Sequence, residues 1–329
     1  MKAIVKTKEN QLVWEEVNAP TLSPGHIRID VHASAINRAD LLQYRGFYPP
    51  PPGASSILGL ECAGVVSEIA SDVSSHQVGD SVCALLSGGG YAEQVVCHAG
   101  HAVPIPQNLS LHSAAALPEV FATAWCNLFI EAQLQPHERV LIHAGASGVG
   151  TAAIQLCKQF ANPCYVTVGN EEKVRACKSL GAEQGWVRNK DSFKEQLLAQ
   201  LSQDGATLTG VDVILDPVGG SYLADNMQCL NIDGRLVVIG LMGGIKSELN
   251  LAQIVSKRIS IIGSALRSRP TRYKTQVMSA LRDKVWPLIE TDKISPIIEQ
   301  TFPIQDVTSA FELLSSNDTI GKLVLQIKS

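Results

Sequence analysis

The chain has 329 residues, of which 45% are hydrophobic and 18% are charged, and its formal net charge is −4. This length allows two domains with large apolar cores, and this composition excludes disordered and fibrous proteins. Because no basic block accompanies the slight acidic balance, the sequence argues against a dedicated binder of nucleic acid or of anionic membranes.

The N-terminal stretch and the cysteines predict a cytoplasmic protein. The start, MKAIVKTKENQLVWEE, lacks the apolar segment of a signal peptide, and no uncharged apolar run is long enough to cross a bilayer. The eight cysteines form no C-x-x-C pair, and several lie in apolar runs where cysteine acts as a small hydrophobe. We therefore expect a soluble protein of a reducing compartment, without a disulfide framework.

The first hundred residues are rich in short strands and turns. Segments 26–37, 62–70 and 80–86 show the alternation or the β-branched runs of strands, and proline and glycine interrupt them often. Residues 101–118 have the pattern of a connection followed by one short helix. This region therefore predicts a compact, barrel-like β domain.

From Arg139 onward, strands alternate with amphipathic helices. The six apolar strand segments are RVLIHAG, CYVTVG, QGWVR, VDVILDPV, GRLVVIG and ISIIGSAL. Such alternation is typical of a parallel sheet covered by helices on both faces. The sequence predicts an α/β, doubly wound Rossmann domain with strand order 3-2-1-4-5-6, followed by a helix over about 271–290 and a terminal strand KLVLQIK.

A glycine-rich loop joins the first of these strands to the helix that follows. In AGASGVG at 144–150, Gly145 and Gly150 take the first and third places of the G-x-G-x-x-G pattern, and Ser147 takes the second. Such a loop directs backbone N–H groups and the positive helix end at a pyrophosphate, and the Ser147 hydroxyl is able to donate to it. We therefore predict dinucleotide binding by Gly145, Ser147, Gly148, Val149 and Gly150.

The end of the second strand favours NADP over NAD. An NAD site places an acid there to accept from the ribose 2′-hydroxyl, whereas this strand ends in Gly169 and Asn170, with Lys173 shortly after. Gly169 leaves room for a 2′-phosphate within reach of Asn170 and Lys173, and Arg188 at the end of the third strand adds a second cation. The two glutamates after Asn170 fit this only if the helix turns them outward, and Lys173 is alternatively an ordinary solvated lysine.

The whole chain resembles the medium-chain dehydrogenase/reductase superfamily. Within it, the chain is similar to the zinc-free quinone oxidoreductase branch, and most similar to the tumour-suppressor-inducible NAD(P)H:quinone oxidoreductase type. The matching segments are NRADLL (37–42), RGFYP (45–49), GLECAG (59–64), LPE (117–119), HAGASGVG (143–150), LRSR (266–269) and IGK (320–322). The resemblance implies a homodimer. It also implies a GroES-like catalytic domain made of residues 1–119 and 263–329, with the Rossmann NADP-binding domain inserted at 120–262.

The resemblance also bears on zinc. Zinc enzymes of the superfamily hold the metal with a Cys, a His and a Cys, and the matching places here are Asn37, Leu60 and the neighbourhood of Glu119. A leucine has no lone pair to offer a metal, so the site cannot form. The cluster CHAGH at 97–101 lacks an evident fourth ligand and is interpreted as an ordinary strand end. We predict a protein without a metal.

The resemblance places Asn37 and Tyr48 beside the nicotinamide and the substrate. Asn37 would donate to the carbonyl of the acceptor, Tyr48 would act as a gate or a protonated donor, and Asp40 would orient Asn37 or Arg38. Alternatively, Asn37 closes a turn and Tyr48 packs before the proline run. Further cofactor contacts are expected from Thr123 and Lys322, although a surface position for the lysine is an alternative, and from the residues after the fifth and sixth strands: Gly240, Leu241, Met242, Leu266 and Arg267.

These features predict NADPH-dependent reduction of quinones by direct hydride transfer. A quinone that accepts hydride becomes an aromatic phenolate that solvent can protonate, whereas a ketone needs polarisation by a metal or a strong donor. One alternative is an NADPH-dependent C=C reductase of enals, enones or enoyl thioesters, in which Tyr48 would act as an acid. Another is a cofactor-binding protein with little turnover and a structural or RNA-associated role.

Overall fold

The computed structural model describes residues 1–188, 190, 192–203 and 210–328. The chain divides into two compact units. Met1–Ala122 and Leu266–Ser329 form one, here called the terminal unit, and Thr123–Ala265 form the other, the central unit. Their boundaries lie at 122/123 and 265/266, close to the expected 119/120 and 262/263.

The first part of the terminal unit is built mainly from strands. They are β1 (Lys2–Lys6), β2 (Leu12–Glu16), β3 (His26–Ile36), β4 (Glu61–Ile69), β5 (Ser81–Leu85), β6 (Gln94–His98) and β7 (Ala102–Pro104). The helices are α1 (Arg38–Tyr44), α2 (Leu111–Ala114) and α3 (Pro118–Trp125). Residues 101–118, predicted as a connection before one helix, thus contain β7 and α2 as well as the first residue of α3.

The central unit contains one parallel sheet in the described part of the chain. Its strands are β8 (Val140–His143), β9 (Cys164–Val168), β10 (Gln184–Val187), β11 (Val211–Asp216), β12 (Leu230–Val238) and β13 (Ser260–Gly263). Its helices are α4 (Gly148–Gln159), α5 (Glu171–Leu180), α6 (Phe193–Gln203), α7 (Leu223–Cys229) and α8 (Leu251–Lys257). The strand order β10-β9-β8-β11-β12-β13 confirms the predicted doubly wound topology.

The C-terminal segment returns to the terminal unit. It contributes α9 (Thr271–Lys284), α10 (Trp286–Glu290), β14 (Ile298–Pro303), α11 (Val307–Ser316) and β15 (Lys322–Gln326). The helix predicted over about 271–290 is broken at Val285, because Pro287 lacks an N–H and its ring would clash with the preceding turn. β15 pairs antiparallel with β3, which gives the strand order β14-β15-β3-β4-β5-β7, with β6 also paired to β3.

One helical stretch, Leu111–Glu131, is long and apolar enough to cross a membrane by length and composition. It contains Glu119 and Glu131 and is therefore not an uncharged apolar run. However, 72% of its most apolar window is buried inside the protein. Its apolar side chains therefore pack in the interior, as in the core helices of globular proteins.

The cysteines are also part of the interior. All eight are free thiols, and all are buried. Burial disfavours the thiolate and raises the pKa of Cys97 to about 12, so this side chain is an uncharged thiol at neutral pH. The cysteines thus act as small apolar residues, as the sequence indicated.

Candidate active site

A buried ion pair lies where β3, β4 and β15 adjoin in the terminal unit. The Lys322 ammonium is 2.8 Å from Glu61 Oε1 and donates to Asn37 Oδ1 and to the Ile36 carbonyl, each at 2.7 Å. The exposed fractions of the two charged side chains are 4% for Lys322 and 0% for Glu61. These contacts use all three donors of the ammonium, so the alternative of a surface lysine is wrong.

The ion pair fixes the orientation of the Asn37 amide. Since Oδ1 accepts from Lys322, Nδ2 faces Glu61 Oε1 at 2.8 Å and the Ala35 carbonyl at 3.3 Å. A flipped amide would bring its oxygen against the carboxylate and its N–H groups against the ammonium. Both N–H groups are thus used inside the protein, which corrects the prediction that Asn37 donates to the acceptor. In this structure Asn37 positions Lys322 and Glu61.

These residues do not fit a catalytic zinc. Leu60 is buried and has no donor atom, and the Lys322 ammonium already occupies the oxygens of Asn37 and Glu61. A divalent ion on those oxygens would lie against a fixed positive charge. Among the described residues, no group of three or more His, Cys, Asp and Glu side chains is arranged to hold a metal.

Asp40 supports the turn that carries Asn37. Its carboxyl group accepts from the Asn37 backbone N–H at 2.8 Å, the Tyr91 hydroxyl at 2.9 Å and the Gly59 N–H at 3.1 Å. Burial raises the pKa of Asp40 to about 6, although these hydrogen bonds favour the charged form. Asp40 therefore orients the backbone of Asn37 and not its amide, while Arg38 donates to groups at the end of α11.

Tyr48 and Arg267 lie together in the terminal unit. The Arg267 guanidinium is 5.3 Å from the centre of the Tyr48 ring and donates to the Tyr48 carbonyl at 3.3 Å. Burial raises the pKa of Tyr48, so its hydroxyl is protonated at neutral pH. None of the described residues forms a hydrogen bond with this hydroxyl, which leaves it able to donate to a ligand.

The predicted cofactor residues at 266 and 267 are both buried. Leu266 packs in the interior. Two other nitrogens of the Arg267 guanidinium are donors: Nε donates to the Ser87 carbonyl at 2.9 Å and Nη2 to Gln43 Oε1 at 2.7 Å. Arg267 thus joins the loop of Tyr48 to the turn that follows β5, a role that the sequence did not reveal.

Glu119 belongs to the same cluster, although sequence reasoning weighed its neighbourhood only as a zinc-ligand position. Its backbone N–H donates to Glu61 Oε2 at 2.9 Å. Burial, together with the charge of Glu61, raises the pKa of the Glu119 carboxyl to about 8. It therefore holds a proton at neutral pH. The available signal was an acidic residue inside the apolar run AALPEVFATAW.

In the central unit, the loop between β8 and α4 has the geometry of a pyrophosphate site. The exposed Ser147 caps α4, because its hydroxyl oxygen accepts from the Gly150 N–H at 3.1 Å and its hydrogen is left to donate outward. A Cβ on Gly145 would lie 2.7 Å from the Val166 side chain, and one on Gly150 would lie 2.4 Å from the Gly145 carbonyl oxygen. Glycine at these places lets the helix pack closely on the strands.

The first turn of α4 provides the donors for the phosphates. Gly148 and Val149 are its first two residues, and the N–H groups of a first helical turn have no partner within the helix. With the positive end of the helix dipole, these groups suit an anion. The residues present therefore fit the pyrophosphate of a dinucleotide.

The residues that were expected to read a 2′-phosphate differ in their placement. Gly169 is exposed with open space around it, and Arg188 is exposed after β10, the neighbour of β9. The Asn170 side chain caps α5 by accepting from the Lys173 N–H at 3.0 Å. Lys173 itself is only 7% exposed. This excludes the ordinary solvated lysine, since Lys173 lies with Val174 and Cys177 on the buried face of α5, and its contact with a 2′-phosphate stays a prediction.

The other predicted cofactor residues of the central unit are at least partly accessible. Leu241 and Met242 are exposed after β12, and a Cβ on Gly240 would lie 2.7 Å from the Pro217 carbonyl oxygen. Thr123 is half-buried, and its carbonyl accepts from Asn127 Nδ2 at 2.7 Å. Gly240 therefore allows two loops to approach closely at the carboxyl end of the sheet.

A buried polar network that the sequence analysis missed connects three neighbouring strand ends. Asn226 Nδ2 donates to Asp216 at 3.1 Å, so its oxygen accepts from His143 Nε2 at 2.7 Å. His143 Nδ1 lies 2.8 Å from the Thr167 hydroxyl. Burial lowers the pKa of His143, which keeps the ring neutral. The network holds the carboxyl ends of β8, β9 and β11, where dinucleotides bind in such sheets.

The sequence matches two family models. Residues 23–107 match "Alcohol dehydrogenase GroES-like domain", and residues 148–283 match "Zinc-binding dehydrogenase". "Quinone oxidoreductase-like protein 2" of Bos taurus is 30% identical over 99% of this chain and 92% of its own length.

Two solved structures resemble the fold over nearly the whole chain. The Escherichia coli quinone oxidoreductase complexed with NADPH has a TM-score of 0.85 and 26% identity, covering 99% of both chains. The CurK enoyl reductase has a TM-score of 0.83 and 26% identity, also over 99% of both chains.

A GroES-like sheet unit and a Rossmann unit with a phosphate loop define an oxidoreductase that uses a nicotinamide cofactor. The chain belongs to the medium-chain dehydrogenase/reductase family, in its quinone oxidoreductase branch. This confirms the resemblance found in the sequence. One matched family model is named for zinc binding, but this chain lacks the zinc ligands, because Leu60 has no donor atom and Lys322 occupies the neighbouring oxygens.

Replacing Lys322 by Met should destabilise the protein strongly. The change leaves Glu61 as a buried, uncompensated charge, so the free energy of unfolding should fall by about 3–5 kcal/mol. The double variant K322M/E61Q should lose clearly less than the sum of the two single variants. Urea denaturation of the four proteins measures this coupling.

Lys328 provides the matched control for this experiment. It forms an ion pair with Asp30 at 3.3 Å, and both side chains are partly exposed. K328M should cost no more than about 1 kcal/mol. Additive losses for Lys322 and Glu61 would contradict the coupling of the buried pair.

Proposed function

We propose that this protein reduces quinones by direct transfer of hydride from NADPH. The observation that carries the proposal is the Lys322 ammonium bound by Asn37, which the resemblance matches to a zinc ligand, and by Glu61, the neighbour of the matched Leu60. Without a Lewis acid at this place, the acceptor itself must be reactive toward hydride, as quinones are. The relatives named quinone oxidoreductase and quinone oxidoreductase-like support this choice.

The protein's own residues have the tasks of binding and orientation. When bound, a nicotinamide cofactor supplies the hydride. The loop at 145–150 holds the pyrophosphate, and the network of His143, Asn226 and Asp216 keeps the neighbouring strand ends in place. The protonated Tyr48 hydroxyl donates a hydrogen bond to the oxygen on which negative charge develops.

The choice of NADPH over NADH rests on the ends of β9 and β10. Gly169 gives open space, no acid ends β9, and the exposed Arg188 supplies a positive charge beside it. The buried Lys173 does not add to this argument. The NADPH-complexed quinone oxidoreductase of Escherichia coli supports the same preference.

The first test follows nicotinamide absorbance with a quinone, with a chelator present throughout. NADPH should be oxidised by the quinone at least about tenfold more efficiently than NADH, and R188Q should reduce this ratio without affecting the NADH rate. Loss of activity in chelator would contradict the metal-free proposal, and a preference for NADH would contradict the cofactor proposal. Cofactor binding without turnover of any quinone or enone would favour a non-catalytic protein.

A second candidate is the reduction of a C=C bond in enones or enoyl thioesters. It is favoured by the protonated, unpartnered hydroxyl of Tyr48 and by the similarity to the CurK enoyl reductase. Hydride addition to such a bond leaves a carbon that must be protonated, whereas the phenolate from a quinone can take its proton from solvent. Tyr48 would then act as a general acid.

The variant Tyr48→Phe separates the two reactions. If Tyr48 is the acid for enones, kcat with an enone should fall by about a hundredfold or more, while kcat with a quinone should change only a few-fold. Tyr44→Phe is the matched control, because the Tyr44 hydroxyl is engaged with the Asn10 carbonyl. A mild loss with every acceptor would rule out the acid role.

We also propose that the protein is a cytoplasmic homodimer paired through β13, the edge strand of the parallel sheet. Ile261 on this strand and Leu251 and Val255 on α8 are exposed, and an apolar sheet edge favours pairing with a second copy. I261K/V255K should sediment as a monomer, whereas V78K, at an exposed apolar residue of the terminal unit, should not change the mass. A wild-type monomer at micromolar concentration would contradict the proposal.

A further inference from the structure

A cavity of about 600 Å³ lies within the terminal unit. Its walls include the loop at 51–55, the turn at 87–89 and the segment that leads into α9. Arg267 and Lys274 both line it, together with Ser87. The walls of this cavity include neither the Lys322–Glu61 ion pair nor the phosphate loop.

Two buried cations meet at Ser87. Lys274 Nζ donates to the Ser87 hydroxyl at 2.6 Å, and Arg267 Nε donates to the Ser87 carbonyl at 2.9 Å. The Ser87 hydroxyl in turn donates to the Arg267 carbonyl at 3.4 Å. Arg267 and Lys274 are each only 4% exposed. Burial lowers the pKa of Lys274, and the neighbouring charge of Arg267 also lowers it.

Neither cation has an anionic partner among the described residues. Arg267 donates to two carbonyl groups and to an amide oxygen. Among the described residues, Lys274 donates to the Ser87 hydroxyl. Glu119 would act on both cations if it were ionised, but burial raises the pKa of its carboxyl to about 8, so it holds its proton at neutral pH. An ammonium has three donors, so Lys274 keeps N–H groups for a further acceptor.

This arrangement is unfavourable unless something neutralises it. Buried charges are normally paired, because the cost of removing each from water is several kcal/mol. Two such cations that line a cavity, without an ion pair, are typical of a site for an anionic ligand. Arg267 also contacts the ring of Tyr48, so the two cations adjoin the proposed position of the acceptor.

We propose that Lys274, Arg267 and the Ser87 hydroxyl bind an anionic substituent of the acceptor, a carboxylate or a phosphate carried outside the reacting ring or double bond. Lys274 supplies the free N–H donors, and Arg267 supplies positive charge while it fixes the Tyr48 loop. The proposal rests on the reaction proposed above and defines its substrate class. Acidic acceptors are thus preferred to neutral ones of the same ring.

The test compares two quinones with the same ring, one neutral and one with a carboxylate side chain, and a third with a phosphate. Wild-type kcat/KM should be about tenfold higher for the anionic acceptors. In K274Q this ratio should fall to about one through a higher KM, and K274R should retain most of it because the charge is kept. The anionic acceptor with the higher kcat/KM, carboxylate or phosphate, identifies the group that the site prefers.

Lys284→Gln is the matched control, because Lys284 is an exposed lysine on the same helix, α9. It should leave the ratio unchanged, which separates a specific site from a general effect of charge. S87A, which keeps both cations, should lower the ratio less than K274Q does. An equal loss with neutral and anionic acceptors in K274Q, or the same loss in K284Q, would overturn the inference.

Failure of the proposed reaction can be distinguished from failure of this site. If no quinone is reduced, titration calorimetry with a naphthalene carboxylate, which cannot accept hydride, tests the anion site directly. Binding to the wild type and K284Q, but not to K274Q, would uphold the site although the reaction had been assigned wrongly. Equal binding or no binding in all three proteins would overturn it.

Discussion

The ion pair between Lys322 and Glu61 is the interaction on which the terminal unit depends. It requires β3, β4 and β15 to meet, because the ammonium takes its acceptors from Ile36, Asn37 and Glu61. Burying an ammonium is costly, and the cost is best offset when each donor has an acceptor, as it has for Lys322. The last strand of the chain thus does more than complete a sheet, since its first residue neutralises a carboxylate of the first hundred residues.

Both units orient an asparagine amide between unlike partners. In the terminal unit, Asn37 accepts from an ammonium and donates to a carboxylate. In the central unit, Asn226 accepts from His143 and donates to Asp216. An amide carries a donor and an acceptor on one rigid plane, so each amide has one favourable orientation and transmits it to its neighbours. Neither asparagine needs to touch a substrate to affect the geometry around it.

The sequence predicted those features that depend on local patterns. Apolar strands and amphipathic helices alternate in the sequence, and Gly145 and Gly150 belong to one short motif. The Rossmann topology and its phosphate loop could therefore be predicted from the sequence. The role of Asn37 was not, because its partner Lys322 lies 285 residues away. The burial of Lys173 was not predicted for a related reason. Its position on the buried face of α5 depends on packing that the motif does not encode.

The lysine at position 322 also constrains how the chemistry of this protein could change. Returning the ligands of the zinc relatives by substituting positions 37 and 60 would introduce a divalent ion beside a fixed ammonium. Such an engineered site would also need the replacement of Lys322, a residue far away in the chain, before it could hold the metal. Replacing Lys322 first would leave Glu61 as a buried charge without its partner. The Lys322 ammonium thus prevents this fold from changing between metal-dependent and metal-free chemistry by substitutions at the ligand positions alone.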